Sequence, residues 1–277
     1  MTLADQLPEG RARLRSYLER LLGWDDAPAV EHALRAVDLA ATHQAVLVLR
    51  GDSDLVPVAR GLHRCVMGDE RPFVLCDPQR CDSDAGAPLE SHKTAMAALG
   101  AATGGSVCLR SKRPPRDFAE LVAVLRAPGA PVQLILCGLR LPDRLGLILA
   151  PIPIPALSTR QHELDRIIEE YGRDAALALR TSSRFTAADR DWVRRHAATS
   201  LSEIEKGTWR KLALRETGNV ASAAELLGIS HTSLGEWFGR RRVGRSALSE
   251  AYDPLGQTRQ ILRSALALRQ SLRRSQP

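Results

Sequence analysis

Asp52 and Asp54 stand two positions apart in a short loop between a predicted strand and a predicted helix. Two such acids could bind a metal ion, but acids in a strand-to-helix loop more often cap the helix that follows. The seven histidines are scattered, and none pairs with a nearby carboxylate as a catalytic dyad would. We therefore predict no catalytic residue, no metal site and no cofactor.

The cysteines do not indicate a metal site or a disulfide framework either. Their number, five, is odd, and no two have the two-residue spacing of a zinc knuckle. Cys76 and Cys81 could form a redox switch, although two thiols at a strand end and in a loop are usually incidental. We expect reduced thiols that are mostly buried as small apolar residues.

Segment 218–234, GNVASAAELLGISHTSL, has the most specific pattern in the chain. Ala223 and Ala224 are small residues in the middle of one predicted helix, Gly228 supplies a sharp turn, and apolar residues follow that turn. These sizes are typical of two helices that cross steeply through a three- or four-residue turn, the helix-turn-helix arrangement. An ordinary helical hairpin with a glycine stop is the alternative.

The second helix of this segment would present polar side chains to a DNA groove, with Ser230 as its N-cap. Charge supports this interpretation, because 240–277 contains nine arginines and two acids, and this excess accounts for the whole net charge of +7. A basic end on a neutral body is typical of nucleic-acid binding, so we predict double-stranded DNA as a partner. The residues assigned to DNA binding are Ser230, His231, Thr232, Ser233, Glu236, Arg240, Arg241 and Arg242.

The elements that position these residues divide the chain into an α/β half and an all-α half. Short apolar runs that do not alternate in polarity indicate strands buried on both faces of a parallel sheet, at 45–49, 73–76, 106–109, 132–137 and 147–153. Helical spacing of apolar residues predicts helices at 8–23, 28–41, 55–66, 91–100 and 115–125. After Pro155 we predict helices alone, at 160–180, 186–197, 200–216, 220–227, 231–241 and 256–274, with Thr186 and Ser200 as N-caps.

Segment 218–234 resembles the Fis-type helix-turn-helix at the C-terminus of bacterial enhancer-binding proteins, whose pattern runs G-N, A-A, L-G-I-S and T-L. The resemblance implies DNA binding and pairing of the modules as a homodimer. The sequence departs from the family at Glu236, where Arg or Lys is usual, and at two glycines within the second helix, Gly235 and Gly239. An acid near phosphate is repulsive, so sequence readout would be weaker or altered.

The first half is similar to the start of the AAA+ domain of sigma-54 activators. There, a strand leads to G-E-S-G-T-G-K-E and then to a helix with V-A-R. Gly51, Asp52 and Ser53 match the start of that loop, but the Gly-Thr-Gly-Lys portion is replaced by Asp54 and Leu55. A phosphate cradle needs consecutive backbone N–H groups from a glycine-rich loop and a lysine for the terminal phosphates. We therefore interpret Gly51, Asp52 and Ser53 as a degenerate nucleotide loop.

The magnesium chemistry of this family is also missing. Segment 103–111, TGGSVCLRS, is similar to the family's G-G-T-L-F-L-D-E, and the two acids of that string fall on Arg110 and Ser111. No GAFTGA string, the sigma-54 contact of the family, occurs anywhere in the sequence. The resemblance thus implies an AAA+/P-loop NTPase-like α/β parallel sheet without nucleotide motifs, an all-α lid-like region and a helix-turn-helix domain. The predicted boundaries are 1–25 (N-terminal helical extension), 26–155 (α/β), 156–205 (lid-like), 206–245 (helix-turn-helix) and 246–277 (basic amphipathic helix).

The main hypothesis is a DNA-binding transcription regulator that is not an enzyme and does not remodel sigma-54 polymerase, with a protein partner possible on its α/β domain. One alternative is an interaction scaffold or antagonist that has lost DNA binding, and another is a divergent NTPase. Membrane insertion is not expected, because no apolar run approaches the length of about 18 residues that a membrane-spanning helix needs. The N-terminus has charges where a signal peptide needs apolar residues, so we expect a cytoplasmic protein.

Overall fold

The structure is a computed structural model that describes residues 8–43, 45–79, 89–127, 129–130, 132–138, 147–181 and 183–241. Arg242, Cys81 and the predicted amphipathic helix at 256–274 lie outside these residues. The chain divides into two compact units, one ending at Leu212 and one beginning at Ala213. No helix of the described residues is long and apolar enough to cross a membrane.

The described residues of the first unit form six strands in one sheet. The strands are β1 (Val46–Arg50), β2 (Phe73–Cys76), β3 (Ser91–His92), β4 (Ser106–Arg110), β5 (Gln133–Cys137) and β6 (Leu149–Pro153). They are hydrogen-bonded in the order β3-β2-β4-β5-β1-β6, and every pair is parallel. The predicted α/β class and parallel sheet are therefore confirmed.

Helices cover both faces of this sheet. They are α1 (Pro8–Leu22), α2 (Ala27–His43), α3 (Val56–Met67), α4 (Ala95–Ala101) and α5 (Phe118–Leu125). Alternate residues of the strands, such as Val48, Val107 and Leu134, form one buried cluster with Ala98 of α4 and Leu121 of α5. Side chains alternate between the faces of a strand, so α4 and α5 cover one face, and α2 and α3 pack on the other.

The regular elements described after Pro155 are all helical, as predicted. A 3-10 segment over Leu157–Glu163 leads into α6 (Leu164–Leu179), followed by α7 (Ala187–His196) and α8 (Leu201–Thr217). Thr186 forms a capping box with Asp189, and the Ser200 hydroxyl accepts a hydrogen bond from the Glu203 N–H at 3.2 Å. Both predicted N-caps are therefore confirmed.

Three predicted helices begin three or four residues too early. The helix predicted from residue 115 starts at Phe118, and the other two differ for reasons that the structure shows. The helix predicted from residue 91 starts at Ala95, because Ser91 and His92 extend the sheet as a short edge strand beside β2. The Thr94 hydroxyl then caps α4. The helix predicted from residue 160 starts at Leu164. Arg160, in the 3-10 segment before it, has non-helical backbone angles and marks a kink. In both places contacts with distant residues override the periodicity of the apolar residues, because residues 91–92 pair with β2 and the Arg160 guanidinium donates hydrogen bonds to the Leu21 and Arg20 carbonyls.

The second unit includes the last residues of α8 and two shorter helices, α9 (Val220–Leu227) and α10 (His231–Arg240). Both helices lie within one residue of their predicted bounds. Three residues, 228–230, separate them. This pair contains most of the residues that the sequence assigns to DNA binding.

Candidate functional site: an exposed helix and a closed loop

The turn between α9 and α10 is built by its own residues. The Asn219 side chain accepts a hydrogen bond from the Ser222 N–H at 2.8 Å and so starts α9. Gly228 ends α9 in the left-handed conformation, with φ of 64°, which glycine adopts without the steric cost of a side chain. The next N–H, of Ile229, bonds to the Ala224 carbonyl at 2.9 Å. The chain therefore turns sharply, as the position of Gly228 predicted.

Ser230 then starts α10, because its hydroxyl accepts a hydrogen bond from the Ser233 N–H at 3.0 Å. The side of α10 that packs inward is apolar and contains Leu234, Trp237 and Phe238, which are at most 4% exposed. On α9, Ala223 and Ala224 are also buried. The small side chains of α9 and the large ones of α10 form one apolar core, which leaves the polar side of α10 free.

That polar side holds the exposed residues Ser230, His231, Thr232, Glu236 and Arg240, with Ser233 half-buried. Residues three and four positions apart on a helix are neighbours, so Thr232, Glu236 and Arg240 follow one another along the surface. The surface therefore contains the Glu236 carboxylate between a first turn that bears hydroxyls and the Arg240 guanidinium at the end of the helix. We call this set, 230–233 with 236 and 240, the polar face of α10.

Arg241, which was also predicted to contact DNA, packs on its own helix. Its guanidinium carbon lies 3.9 Å from the centre of the Trp237 ring, and its Nη1 donates a hydrogen bond to the Trp237 carbonyl at 3.3 Å. This stacking is a cation–π contact, and it shields one side of the guanidinium. Arg240 remains exposed at the last turn of α10.

The second candidate site is the loop that follows β1, where the sequence predicted a degenerate nucleotide loop. The carboxyl ends of parallel strands share one edge of a sheet, and ligands of open α/β sheets bind there. At this edge, Arg110 at the end of β4 makes an ion pair with Asp54 at 3.1 Å and a second ion pair with Asp77. Arg113 lies 3.7 Å from the same Asp77 carboxylate.

These contacts neutralise the loop internally. Asp77 is only 1% exposed, and a buried carboxylate needs a cation beside it. The Asp54 carboxylate also accepts a hydrogen bond from the Val56 N–H at 3.3 Å, at the start of α3, whose N-cap residue is Leu55. The neighbouring Asp52 and Ser53 line a cavity of about 90 Å³. Ligand pockets usually measure about 300 Å³ or more, so this space is too small for a nucleotide.

His63 and the described cysteines belong to the packed framework of the first unit, as the sequence indicated. His63 is buried and bonds through Nδ1 to the Ser106 hydroxyl at 2.8 Å and through Nε2 to the Arg71 carbonyl at 3.0 Å. Burial lowers the pKa of His63, although the Arg71 carbonyl opposes this effect. Cys76, Cys108 and Cys137 are buried free thiols, and Cys65 is half-buried. Burial raises the pKa of Cys76 to about 12, so its thiol stays protonated.

Asp25, His162 and Glu163 bring possible metal-ligand atoms within 4.8 Å of one another. The Glu163 carboxylate is already engaged, because it accepts hydrogen bonds from Arg160 Nε at 2.6 Å and from the Trp24 N–H at 2.8 Å. These bonds hold the chain after α1 against the 3-10 segment. We therefore assign these residues a structural role.

Sequence reasoning missed Asp77, the buried partner of Arg110. The only sequence feature that could have indicated Asp77 is its position directly after the apolar run 73–76. The arginine at position 110 did not indicate by itself that it would pair with carboxylates. Sequence reasoning also missed a cavity among α1, α3, α6 and α8, described below. No spacing in the sequence joins those four helices.

No protein-family model matches the chain, and no curated protein sequence matches it. A similar solved structure is that of NtrX from Brucella abortus, with a TM-score of 0.40 and 14% sequence identity, covering 84% of this chain and 72% of that chain. A likeness at this level carries no information about DNA binding or nucleotide chemistry. The function is therefore argued from the residues of the two sites.

Proposed function

We propose that the protein is a DNA-binding transcription regulator and that α9 and α10 form its DNA-binding module. The observation that carries this proposal is the division of α10 into a buried apolar side and an exposed polar face at its N-terminal end. In helix-turn-helix proteins the N-terminal residues of the second helix contact base edges in the major groove. His231 and Thr232 occupy that position here and are exposed.

Charge supports the proposal at the other end of α10. Arg240 is exposed in the last turn, and the sequence from 240 to 277 carries an excess of seven positive charges. Phosphate contacts from such residues supply affinity without sequence preference. Glu236 lies between the base-contacting and phosphate-contacting positions, and its carboxylate could accept a hydrogen bond from a cytosine amino group. We further propose that two copies bind as a homodimer through this C-terminal part.

We also propose that the α/β unit does not hydrolyse nucleotide. A phosphate loop must offer positive charge and free N–H groups, whereas this loop offers Asp54, whose carboxylate is engaged by Arg110. Arg110 also stands where the resemblance implies a magnesium-binding acid. The regulator would then act by occupying DNA, or through a protein partner on the α/β unit, and not by remodelling sigma-54 polymerase.

The proposal is tested by selecting bound genomic fragments with the purified full-length protein and then titrating the selected duplex in gel-shift assays at several salt concentrations. We expect tight binding to the selected sequence and a steep loss of affinity as salt rises. Thr232→Ala should reduce the preference for the selected sequence, by about 1–3 kcal/mol if a base contact is lost. Thr42→Ala, a hydroxyl removed from exposed helix surface in the first unit, serves as the control.

Absence of binding at every salt concentration would refute DNA binding and favour an interaction scaffold. Equal binding of all sequences, unchanged by Thr232→Ala, would refute the assignment of the polar face of α10 to base recognition. The assay therefore separates the regulator from its main alternative.

A further inference from the structure

A cavity of about 350 Å³ lies in the first unit, away from the loop after β1. Its volume falls at the lower end of the range of small-molecule sites. Its walls come from four helices, α1, α3, α6 and α8. The residues that matter for its chemistry are Tyr17, Arg20, Arg60, Tyr171, Glu205 and Trp209.

The aromatic part of the wall is fixed in place. The Tyr17 hydroxyl donates a hydrogen bond to the Val58 carbonyl at 2.8 Å, and α1 approaches α3 so closely that a side chain at Gly61 would collide with the Tyr17 ring. The Arg20 guanidinium lies between Tyr17 and Tyr171, at 5.0 and 4.6 Å from the ring centres. The cavity is therefore preformed and does not depend on a mobile loop.

Several charges of the wall are already neutralised by partners within the protein. Arg20 makes an ion pair with Asp174 at 2.5 Å, and Arg64 makes one with Asp69 at 2.5 Å. Within the described residues, however, the buried Nε of Arg20 has no hydrogen-bond partner. Because this nitrogen is itself buried, the other charged groups of the wall decide which ligand fits.

Arg60 and Glu205 differ from these pairs. Both line the cavity and are only partly exposed, yet neither side chain forms a hydrogen bond or an ion pair with another described residue. Burial, followed by repulsion from Arg64, lowers the pKa of Arg60. Burial raises the pKa of Glu205 to about 7, although Arg60 and Arg20 oppose this effect. The attraction between Arg60 and Glu205 offsets only part of the cost of burial, so each group would gain from a ligand group of opposite charge.

We propose that this cavity binds a small zwitterion of the amino-acid class, with its carboxylate on Arg60 and its ammonium group on Glu205. A ligand with only a negative charge would leave Glu205 without a partner, and a ligand with only a positive charge would do the same to Arg60. The apolar part of the ligand would contact the rings of Tyr171 and Trp209. This proposal is independent of DNA binding, because every residue involved belongs to the first unit.

The test is thermal unfolding of the full-length protein with each of the twenty amino acids in turn at millimolar concentration. A ligand that binds only the folded state stabilises it by mass action, so at about 100 times its Kd we expect Tm to rise by about 5 °C. The best amino acid is then compared with the amine that lacks its carboxylate and the acid that lacks its amino group. Neither singly charged analogue should reproduce the shift.

Variants link the shift to the cavity. Glu205→Gln and Arg60→Gln keep hydrogen-bonding capacity but remove one charge each, and both should abolish the shift, with circular dichroism confirming that they fold. Asp38→Asn, at an exposed ion pair on α2, is the matched control and should respond like the wild type. The proposal is wrong if no amino acid raises Tm, if a singly charged analogue is equally effective, or if both cavity variants still respond.

Discussion

Arg110 and Asp54 form an ion pair of 3.1 Å across the carboxyl edge of the sheet, between the end of β4 and the loop after β1. Arg110 also pairs with the buried Asp77, so one guanidinium joins the ends of three strands or their following loops. The carboxylates raise the pKa of Arg110 against the effect of burial, which alone would lower it. A nucleotide-binding enzyme would keep charged groups at this edge available for its substrate. Here the charged side chains neutralise one another.

Arg110→Met should therefore destabilise the protein. The substitution keeps much of the side-chain volume but leaves Asp77 buried with only the more distant Arg113, so we expect a loss of about 3 kcal/mol in the free energy of unfolding. Urea denaturation followed by tryptophan fluorescence measures it. Arg11→Met, which breaks the exposed pair with Asp38, should cost about 0.5 kcal/mol. Equal losses for the two variants would show that the Arg110 pairs are energetically unimportant.

The same geometry predicts that the protein does not bind magnesium-ATP in the micromolar range. Asp54 places negative charge where the phosphates would lie, and Arg110 cannot ligate magnesium. Isothermal titration of the full-length protein should show no saturable heat. Saturable binding that is abolished by Ser53→Ala would contradict the proposed loss of nucleotide chemistry.

Glu205 should make stability depend on pH. Its pKa is raised from an ordinary value of 4.5 to about 7, mainly by burial, with Arg60, Arg20, Asp174 and Lys206 as its charged neighbours. Below pH 4.5 the carboxyl is protonated in both folded and unfolded states and has no effect. As pH rises to 7 the unfolded state ionises first, so the folded state is progressively destabilised.

Glu205→Gln should therefore be more stable than the wild type at pH 8, by about 3 kcal/mol, and nearly equal to it at pH 4.5. Denaturant titrations at the two pH values measure the difference. Glu31→Gln is a useful comparison, because Arg15 lowers the pKa of Glu31 and the sign of its contribution is the opposite. A difference for Glu205→Gln that does not change between the two pH values would exclude a buried ionisation as its cause.

The sequence predicts the sheet of this protein well because its strands are buried on both faces. Runs such as 45–49 and 73–76 leave no polar position that a helix of the same length would expose, and both are strands with nearly the predicted bounds. Asn219, Gly228 and Ser230 likewise define α9 and α10 because caps act through neighbouring backbone groups. These local signals can be read from residues close together in the chain.

Contacts between distant residues could not be predicted in the same way. The partners of Arg110 lie 33 and 56 positions away in the chain. Glu205 and Arg60 line the same cavity only because α3 and α8 belong to the same unit. Arg241 shows the reverse case. Its stacking on Trp237 is a local contact at four-residue spacing, but the run of three arginines suggested a single role for all three.

Ser230→Ala should weaken the start of α10. The Ser233 N–H would lose its hydrogen-bond acceptor, which costs about 1 kcal/mol for a typical N-cap. Amide hydrogen exchange at Ser233 and Leu234 should become several-fold faster, since these amides lie in the first turn. Thr232→Ala removes a hydroxyl from the same turn without removing the cap and should leave exchange unchanged. The role of the cap would be disproved if both variants exchanged alike.

Substitutions of Arg240 and Arg241 should separate the electrostatic contribution to DNA binding from the stability of the second unit. Arg240 is exposed, so Arg240→Ala should lower DNA affinity and reduce the slope of log affinity against log salt by about 0.9, the effect of one phosphate contact, with no change in Tm. Arg241 stacks on Trp237, so Arg241→Ala should destabilise the second unit by about 1 kcal/mol. Gel shifts at four salt concentrations and thermal unfolding of the full-length variants measure the two quantities. An unchanged salt slope for Arg240→Ala would remove this arginine from the DNA interface, and an unchanged Tm for Arg241→Ala would mean that its stacking does not stabilise α10.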